Sequence, residues 1–305
     1  MASPLMTRRN TPRISFIGFG EAGQAMASGL RDEGIERIAA WDILFPESAG
    51  ASLKAAGEAI GVRAATSAAD AVREIDMVIS AVTAASSLEA ARSVAPHLSG
   101  NPYYLDINSV SPGRKQETAK LLGERARYVD VAVIAPIHPA RHRTPLLISG
   151  GPAEEISPLL RELGMQLTVV SDQTGSAAAI KMIRSVMIKG IEALTLECFL
   201  AAERAGVLEE VTASLKNNYP TLDWTKIADY NLERMASHGE RRAAEMEESA
   251  ATLRELGLEP LMVDSTVKRQ REMGALGKQE KVRKTLTSGR AALLGTISTA
   301  AKDRT

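Results

Sequence analysis

The stretch Arg13-Ile14-Ser15-Phe16-Ile17-Gly18-Phe19-Gly20-Glu21-Ala22-Gly23 decides the fold. Arg13 to Ile17 reads as a buried strand, and Gln24 to Arg31 as the helix after it. Alone, G-x-G-x-x-G is a weak signal. Here it follows an apolar strand, opens a helix, and precedes Asp42, 24 residues after Gly18. Gly18 permits the tight turn, Gly20 lets the backbone approach a pyrophosphate, and Gly23 lets the helix pack close to its strand. The helix N-terminus offers free N–H groups and a partial positive charge to that anion. Asp42 ends the next strand, Arg37 to Asp42, and can accept hydrogen bonds from ribose hydroxyls. Its charge would repel a 2′-phosphate, and Ile43-Leu44-Phe45 supplies no arginine. The expected cofactor is NAD, with NADP disfavoured. Gly18, Gly20, Glu21, Ala22, Gly23 and Asp42 are its expected contacts.

Outward from this loop, short apolar runs alternate with helical patterns. Asp76 to Val82, Tyr103 to Ile107, Arg127 to Ile134, Leu146 to Ser149 and Gln166 to Val170 read as strands. Ser111-Pro112 supplies a helix N-cap followed by proline at the first helical position. Such alternation predicts βαβ units in a mainly parallel sheet. Val82 and Thr83, at the end of one run, are further expected cofactor contacts. From Gly175 onward no segment reads as a strand. Gly175 to Arg204 is one long helix, apolar nearly all round, and so expected to be buried. Trp224 to Ser237 and Arg241 to Leu256 read as two amphipathic helices. The expected fold is an α/β Rossmann domain over 1–172 and an all-α domain over 173–305, with the joint near Ser171 to Thr174. The basic stretch after Val267 reads as a solvated tail helix.

Composition narrows the classes. Among 305 residues, Lys plus Arg equals Asp plus Glu at 37 each, so the formal net charge is zero. A nucleic-acid binder would show a basic surplus. Two tryptophans, five tyrosines and four phenylalanines are too few for base-stacking platforms. No apolar run reaches roughly 18 residues, so no membrane-spanning helix is expected. The single cysteine, Cys198, cannot form an internal disulfide, and Met1 to Arg13 lacks the apolar core of a secretory signal. A reducing cytoplasm is the expected setting.

With these motifs in hand, the chain resembles the β-hydroxyacid dehydrogenases, the group of 3-hydroxyisobutyrate and 6-phosphogluconate dehydrogenases. The resemblance runs from about Arg13 to Leu258, with Ala22 where the family usually has methionine. Asp106-Ile107-Asn108-Ser109-Val110-Ser111-Pro112 resembles the family's D-x-S-T-x-x-P, a loop near the nicotinamide. It implies Asn108 beside the cofactor and Ser109 beside the substrate. Gly175-Ser176-Ala177-Ala178-Ala179-Ile180-Lys181 resembles the segment carrying the catalytic lysine. Two departures concern the substrate. Asp130 to Ala140 lacks the serine and glycines of the family's D-A-P-V-S-G-G loop, and the family's asparagine four residues after the lysine is Ser185. The glutamate that the 6-phosphogluconate branch places seven residues after its lysine is Ile188 here, which speaks against acid-assisted decarboxylation. Imine reductases of related fold usually lack the lysine.

Lys181 also has a physical case. Among Ile180, Met182 and Ile183 an ammonium would lose solvation, which lowers its pKa and suits it to general acid–base work. Ser185, one turn on, shares its face and could orient substrate. His138, Arg141, His142 or Arg143 could bind an anionic group in place of the missing Ser-Gly-Gly, as could Arg242 and its neighbours; surface roles compete in each case. Prolines 136, 139 and 145 disfavour a helical His138/His142 metal site, so no metal is expected.

The expected function is NAD-dependent hydride transfer to or from a small hydroxy acid or sugar acid, in the cleft between the two domains. Lys181 is the acid/base; Ser109, Ser185, His138 and Arg242 hold substrate. The alternatives are an oxidoisomerase of a sugar acid and a non-catalytic NAD-binding redox sensor. The apolar central helix implies a homodimer through the helical domain, and no nucleic-acid or membrane partner is expected.

Overall fold

Near-continuous apolar runs in strands buried on both faces are what a parallel sheet covered by helices demands. In the computed structural model, residues 11–286 and 288–302 are described. The reading of the N-terminal segment rests mainly on residues 1–10 and lies outside them. The chain packs as two compact units, Met1–Lys181 and Met182–Thr305.

In the first unit, β1 (Ile14–Ile17), β2 (Ile38–Trp41), β3 (Arg63–Ala64), β4 (Met77–Ser80), β5 (Tyr103–Asp106), β6 (Arg127–Val133), β7 (Leu146–Ser149) and β8 (Leu167–Ser171) form one sheet. Its order is β3-β2-β1-β4-β5-β6-β7-β8, and only the β6–β7 pair is antiparallel. Side chains alternate between two apolar layers, as a period of two requires. Phe16, Met77, Ile79, Leu105 and Val129 enter one layer; Ile17, Val78, Tyr104 and Tyr128 enter the other. The strand order reverses between β1 and β4. Ligands of open α/β sheets sit at that reversal, beyond the carboxyl ends of the strands.

Three helices set the site: α1 (Glu21–Asp32) after β1, α5 (Pro112–Leu122) after β5, and α7 (Ser176–Ala205) after β8. Between them lie α2 (Ala51–Ala59), α3 (Ala68–Ala71), α4 (Ser87–Val94) and α6 (Ala153–Glu162). Ser111 caps α5 through its hydroxyl, with Pro112 at the first helical position.

The second unit contains α8 (Leu208–Asn218), α9 (Trp224–Glu255), α10 (Leu261–Gly277), α11 (Glu280–Thr285) and α12 (Arg290–Lys302). Three expectations change here. The two predicted helices between Trp224 and Leu256 are one, α9. Gly239, in the gap between the two expected segments, is where α10 crosses: a Cβ there would lie 2.3 Å from the Gln270 carbonyl oxygen. The basic segment after Val267 is no solvated tail. Val282, Leu293, Leu294 and Ile297 are buried with Leu196, Phe199 and Met235 in one core. Finally, α7 is covered on one face only. Met182, Leu196 and Phe199 are buried, whereas Ile183, Met187, Ile191 and Leu194 are 40–64% exposed.

Candidate active site

The glycine loop sits at the strand-order reversal. Gly18 has φ +89°, and a Cβ on it would lie 2.4 Å from the Ala81 carbonyl oxygen just after β4. The loop after β1 is thus pressed against the loop that carries Val82 and Thr83. A Cβ on Gly23 would lie 2.7 Å from the Gly18 carbonyl oxygen, which is the close helix–strand packing the motif implies. Gly20 differs: nothing stands within 4 Å of a Cβ there. Gly20 caps α1, with Glu21 in the first turn. These features fit a dinucleotide, with open space where a pyrophosphate would approach the helix N-terminus. Asp42, just past β2, accepts the Phe19 amide on Oδ2 at 2.8 Å and the Leu44 amide on Oδ1 at 3.0 Å. Its carboxylate is therefore fixed against the glycine loop.

Asn108 and Ser109 divide their work. Asn108 is buried; its Oδ1 accepts the Val82 amide at 2.7 Å and its Nδ2 donates to Ser80 Oγ at 2.9 Å. It braces the loop after β4. Thr83 is exposed, with its hydroxyl donating to Ser86 Oγ at 3.1 Å. Ser109 Oγ accepts a hydrogen bond of 2.5 Å from Lys181 Nζ. The D-x-x-S segment after β5 and the start of α7 are thereby brought together across 72 residues of chain.

Lys181 is half-buried. Its sequence neighbours do not supply the apolar surround foreseen for it: Ile180 and Ile183 are 43% and 47% exposed, and only Met182 is buried. Adjacent helix residues point in different directions, so sequence adjacency overstates shared environment.

Behind this pair lies a buried polar group that sequence reasoning missed. Asp106 and Asp130 occupy the same register on β5 and β6, and both are fully buried. Lys115 of α5, 1% exposed, reaches between them. Its Nζ lies 2.6 Å from the Asp106 carbonyl oxygen, 3.1 Å from Asp106 Oδ1 and 3.4 Å from Asp130 Oδ1. Asp106 Oδ1 also accepts the Asn108 amide, and its Oδ2 accepts the Tyr128 hydroxyl. Burial, then the Asp106 and Asp130 charges, hold that phenol well above its ordinary range, so it stays a donor. The signal for Lys115 was faint: it shares the buried face of α5 with Thr118 and Leu122 at helical spacing.

The remaining candidates have other partners. Arg141 pairs with Asp32 at 2.6 Å, while His142 and Arg143 meet Glu33 at 3.2 and 2.5 Å. Arg143, with His142, holds the Glu33 carboxyl below its usual range, and burial pushes the His142 imidazole down. This basic loop grips the end of α1, about 18 Å along the helix from Gly20 at the standard rise. His138 is exposed. In the second unit, Ser185 accepts from Lys189 at 3.2 Å, and Lys189 pairs with Glu245 at 3.0 Å. Arg242 is buried against Glu192, which also accepts from Gln270 at 2.8 Å.

Comparison with known proteins agrees with this geometry. Residues 13–171 match the family described as the NAD binding domain of 6-phosphogluconate dehydrogenase, and residues 202–273 match a domain of unknown function. A conserved hypothetical protein from Sinorhizobium meliloti is 36% identical, with a TM-score of 0.78 over 95% of this chain and 97% of that one. The conserved protein MTH1747, described as structurally similar to 3-hydroxyacid dehydrogenases, is 32% identical, with a TM-score of 0.70 over 86% of this chain and 97% of that one. The 2-(hydroxymethyl)glutarate dehydrogenase of Eubacterium barkeri is 25% identical over 65% of this chain and 66% of its own length. No helix among the described residues is long and apolar enough to cross a membrane. With its glycine loop at the sheet's switch point and the match spanning residues 13–171, the chain belongs to the family of the NAD binding domain of 6-phosphogluconate dehydrogenase and is an NAD-binding oxidoreductase.

Proposed function

We propose that this protein is an NAD-dependent dehydrogenase of a small hydroxy acid or sugar acid, with Lys181 as the general acid/base. The observation that carries this reading is the 2.5 Å contact between Lys181 Nζ and Ser109 Oγ. Two groups able to bond one substrate hydroxyl thus stand together, in the unit that carries the glycine loop. In oxidation, neutral Lys181 takes the hydroxyl proton while Ser109 orients the oxygen. In reduction, the ammonium polarises the carbonyl and returns the proton. The backbone of residues 18–23 and the Asp42 carboxylate hold the dinucleotide, which when bound supplies the nicotinamide that accepts or returns hydride. We assign 1–172 to cofactor binding and 173–305 to the helical domain, and we place the protein in a reducing cytoplasm.

The test is a screen of hydroxy acids and sugar acids with NAD, following NADH formation. Turnover of at least one such acid supports the reading; failure across both classes overturns it. NAD should serve better than NADP because Asp42 disfavours a 2′-phosphate. In Asp42→Ala that preference should fall by about tenfold or more, equivalent to roughly 1.4 kcal/mol. A wild-type protein that prefers NADP would contradict the assignment.

The same reading includes a homodimer. The exposed residues Ile183, Met187, Ile191 and Leu194 recur at spacings of four, four and three along α7, one apolar stripe on a helix surface. A self-complementary stripe is what a two-fold interface requires. Light scattering should give the mass of two chains, and Met187→Glu should shift it toward one. A wild-type mass of one chain would refute the dimer.

A further inference from the structure

We propose that Lys115 is a positioning residue for the Lys181–Ser109 pair, tying the turn that bears Ser109 to the helix start that bears Lys181. The inference rests on the function proposed above. Its basis is a continuous chain of contacts within the first unit. On one side, Lys115 holds Asp106, whose Oδ1 accepts the amide of Asn108 at 3.0 Å, next to Ser109. On the other side it faces Asp130, whose Oδ2 accepts the Ala178 amide and the Ser149 hydroxyl, each at 3.0 Å. Ser149 Oγ in turn accepts the Ala177 amide at 3.0 Å. These two amides open α7 one turn before Lys181, and they are donors that a helix start leaves without intrahelical partners.

The electrostatics make Lys115 the keystone. Two carboxylates stand side by side on neighbouring strands, out of water, and like charges so placed repel strongly. Among the described residues, Asp130 Oδ1 has no hydrogen bond, and the Lys115 ammonium is the cation that faces it. An ammonium has three donors and no acceptor, and three oxygens surround this one. Without it, one carboxylate must take a proton or turn away. Either change disturbs the acceptors that hold the Asn108 turn or the start of α7. A misplacement of about an ångström there separates Lys181 from Ser109, and catalysis is sensitive on that scale.

The test uses two variants of the full chain. Lys115→Met removes the ammonium. Lys115→Met combined with Asp130→Asn restores the charge balance, because the carboxamide oxygen can still accept from Ala178 while the carboxamide nitrogen can donate toward Asp106. Three quantities are read: the Lys181 Nζ–Ser109 Oγ separation in crystals, the NAD dissociation constant, and kcat with the best acid from the screen. The single variant should lengthen the separation beyond hydrogen-bond range and lower kcat by roughly 100-fold, with NAD affinity changed less than about threefold. The double variant should recover at least about tenfold in kcat and the short separation. A purely structural role predicts a lower melting temperature with an unchanged separation and kcat in the folded fraction, and that result overturns the proposal. Where the single variant does not fold, the double variant decides: a folded double variant with Lys181 still apart from Ser109 also overturns it. If the wild-type protein turns over no acid, the proposed function fails, while the crystallographic separation still judges Lys115.

Discussion

Lys181→Met abolishes measurable turnover and leaves NAD bound: that is the expected result of the simplest variant. Methionine keeps the length and apolar stem of lysine but has no proton to exchange. A positioned general acid/base contributes about 10²- to 10⁴-fold, so kcat should fall by that factor. The glycine loop follows β1 and Asp42 follows β2, whereas Lys181 lies on α7, so the dissociation constant of NAD should move by less than roughly threefold. Titration calorimetry and steady-state kinetics together check the split. Equal losses in NAD affinity and turnover would mean that the helix start had collapsed. Full activity would remove Lys181 from the mechanism. Ser109→Ala should lower kcat less, because a serine orients but does not exchange the proton.

Gly18→Ala should unseat the cofactor. Gly18 has φ +89°, a backbone region costing about 1–3 kcal/mol for a residue with a side chain. The added methyl also has nowhere to go, lying 2.4 Å from the Ala81 carbonyl oxygen and 2.5 Å from Val82 Cγ1. Overpacking of this kind adds a further ~1–3 kcal/mol. Relief requires the loop after β1 to move away from the loop after β4, and that movement displaces the donors that face a pyrophosphate. NAD affinity should therefore fall by roughly 10- to 100-fold, with a lower melting temperature. Gly20→Ala is the control. Nothing stands within 4 Å of its Cβ, so the apo protein should be little destabilised, and any loss should appear in cofactor binding alone. Unchanged NAD affinity in Gly18→Ala would contradict this account of the loop.

The strands of the first unit were legible because each is an apolar run long enough to cross a sheet. Leu146–Ser149 falls where the sequence places it, and β1, β2, β5 and β6 differ from expectation by only a residue or so at their ends. The exception is β3, Arg63–Ala64: two residues at a sheet edge, one of them charged, carry no periodicity to read. The role of Gly239 is set by tertiary packing. Glycine inside a helical pattern suggests a break, yet here it admits the backbone of α10, a role invisible until both helices are placed. The partners of the basic loop at 141–143 are likewise set by packing. Its charges pair with Asp32 and Glu33, more than a hundred residues earlier.

Local spacing alone sufficed for the Rossmann class, the glycine turn after β1, the place of Asp42 at the end of β2 and the change to helices after Gly175, because those depend on turn geometry and on periods of two and 3.6 residues. Which charged residues meet is a different matter. Arg114, Lys115 and Lys120 look alike within α5, and only the packing of α5 on β5 and β6 buries Lys115 between two aspartates. Likewise Arg242 reads as an available cation until α9 sets it against Glu192 of α7. A buried charge is governed by the partner that replaces its water, and that partner is chosen by tertiary packing, across a distance in sequence that no local pattern spans.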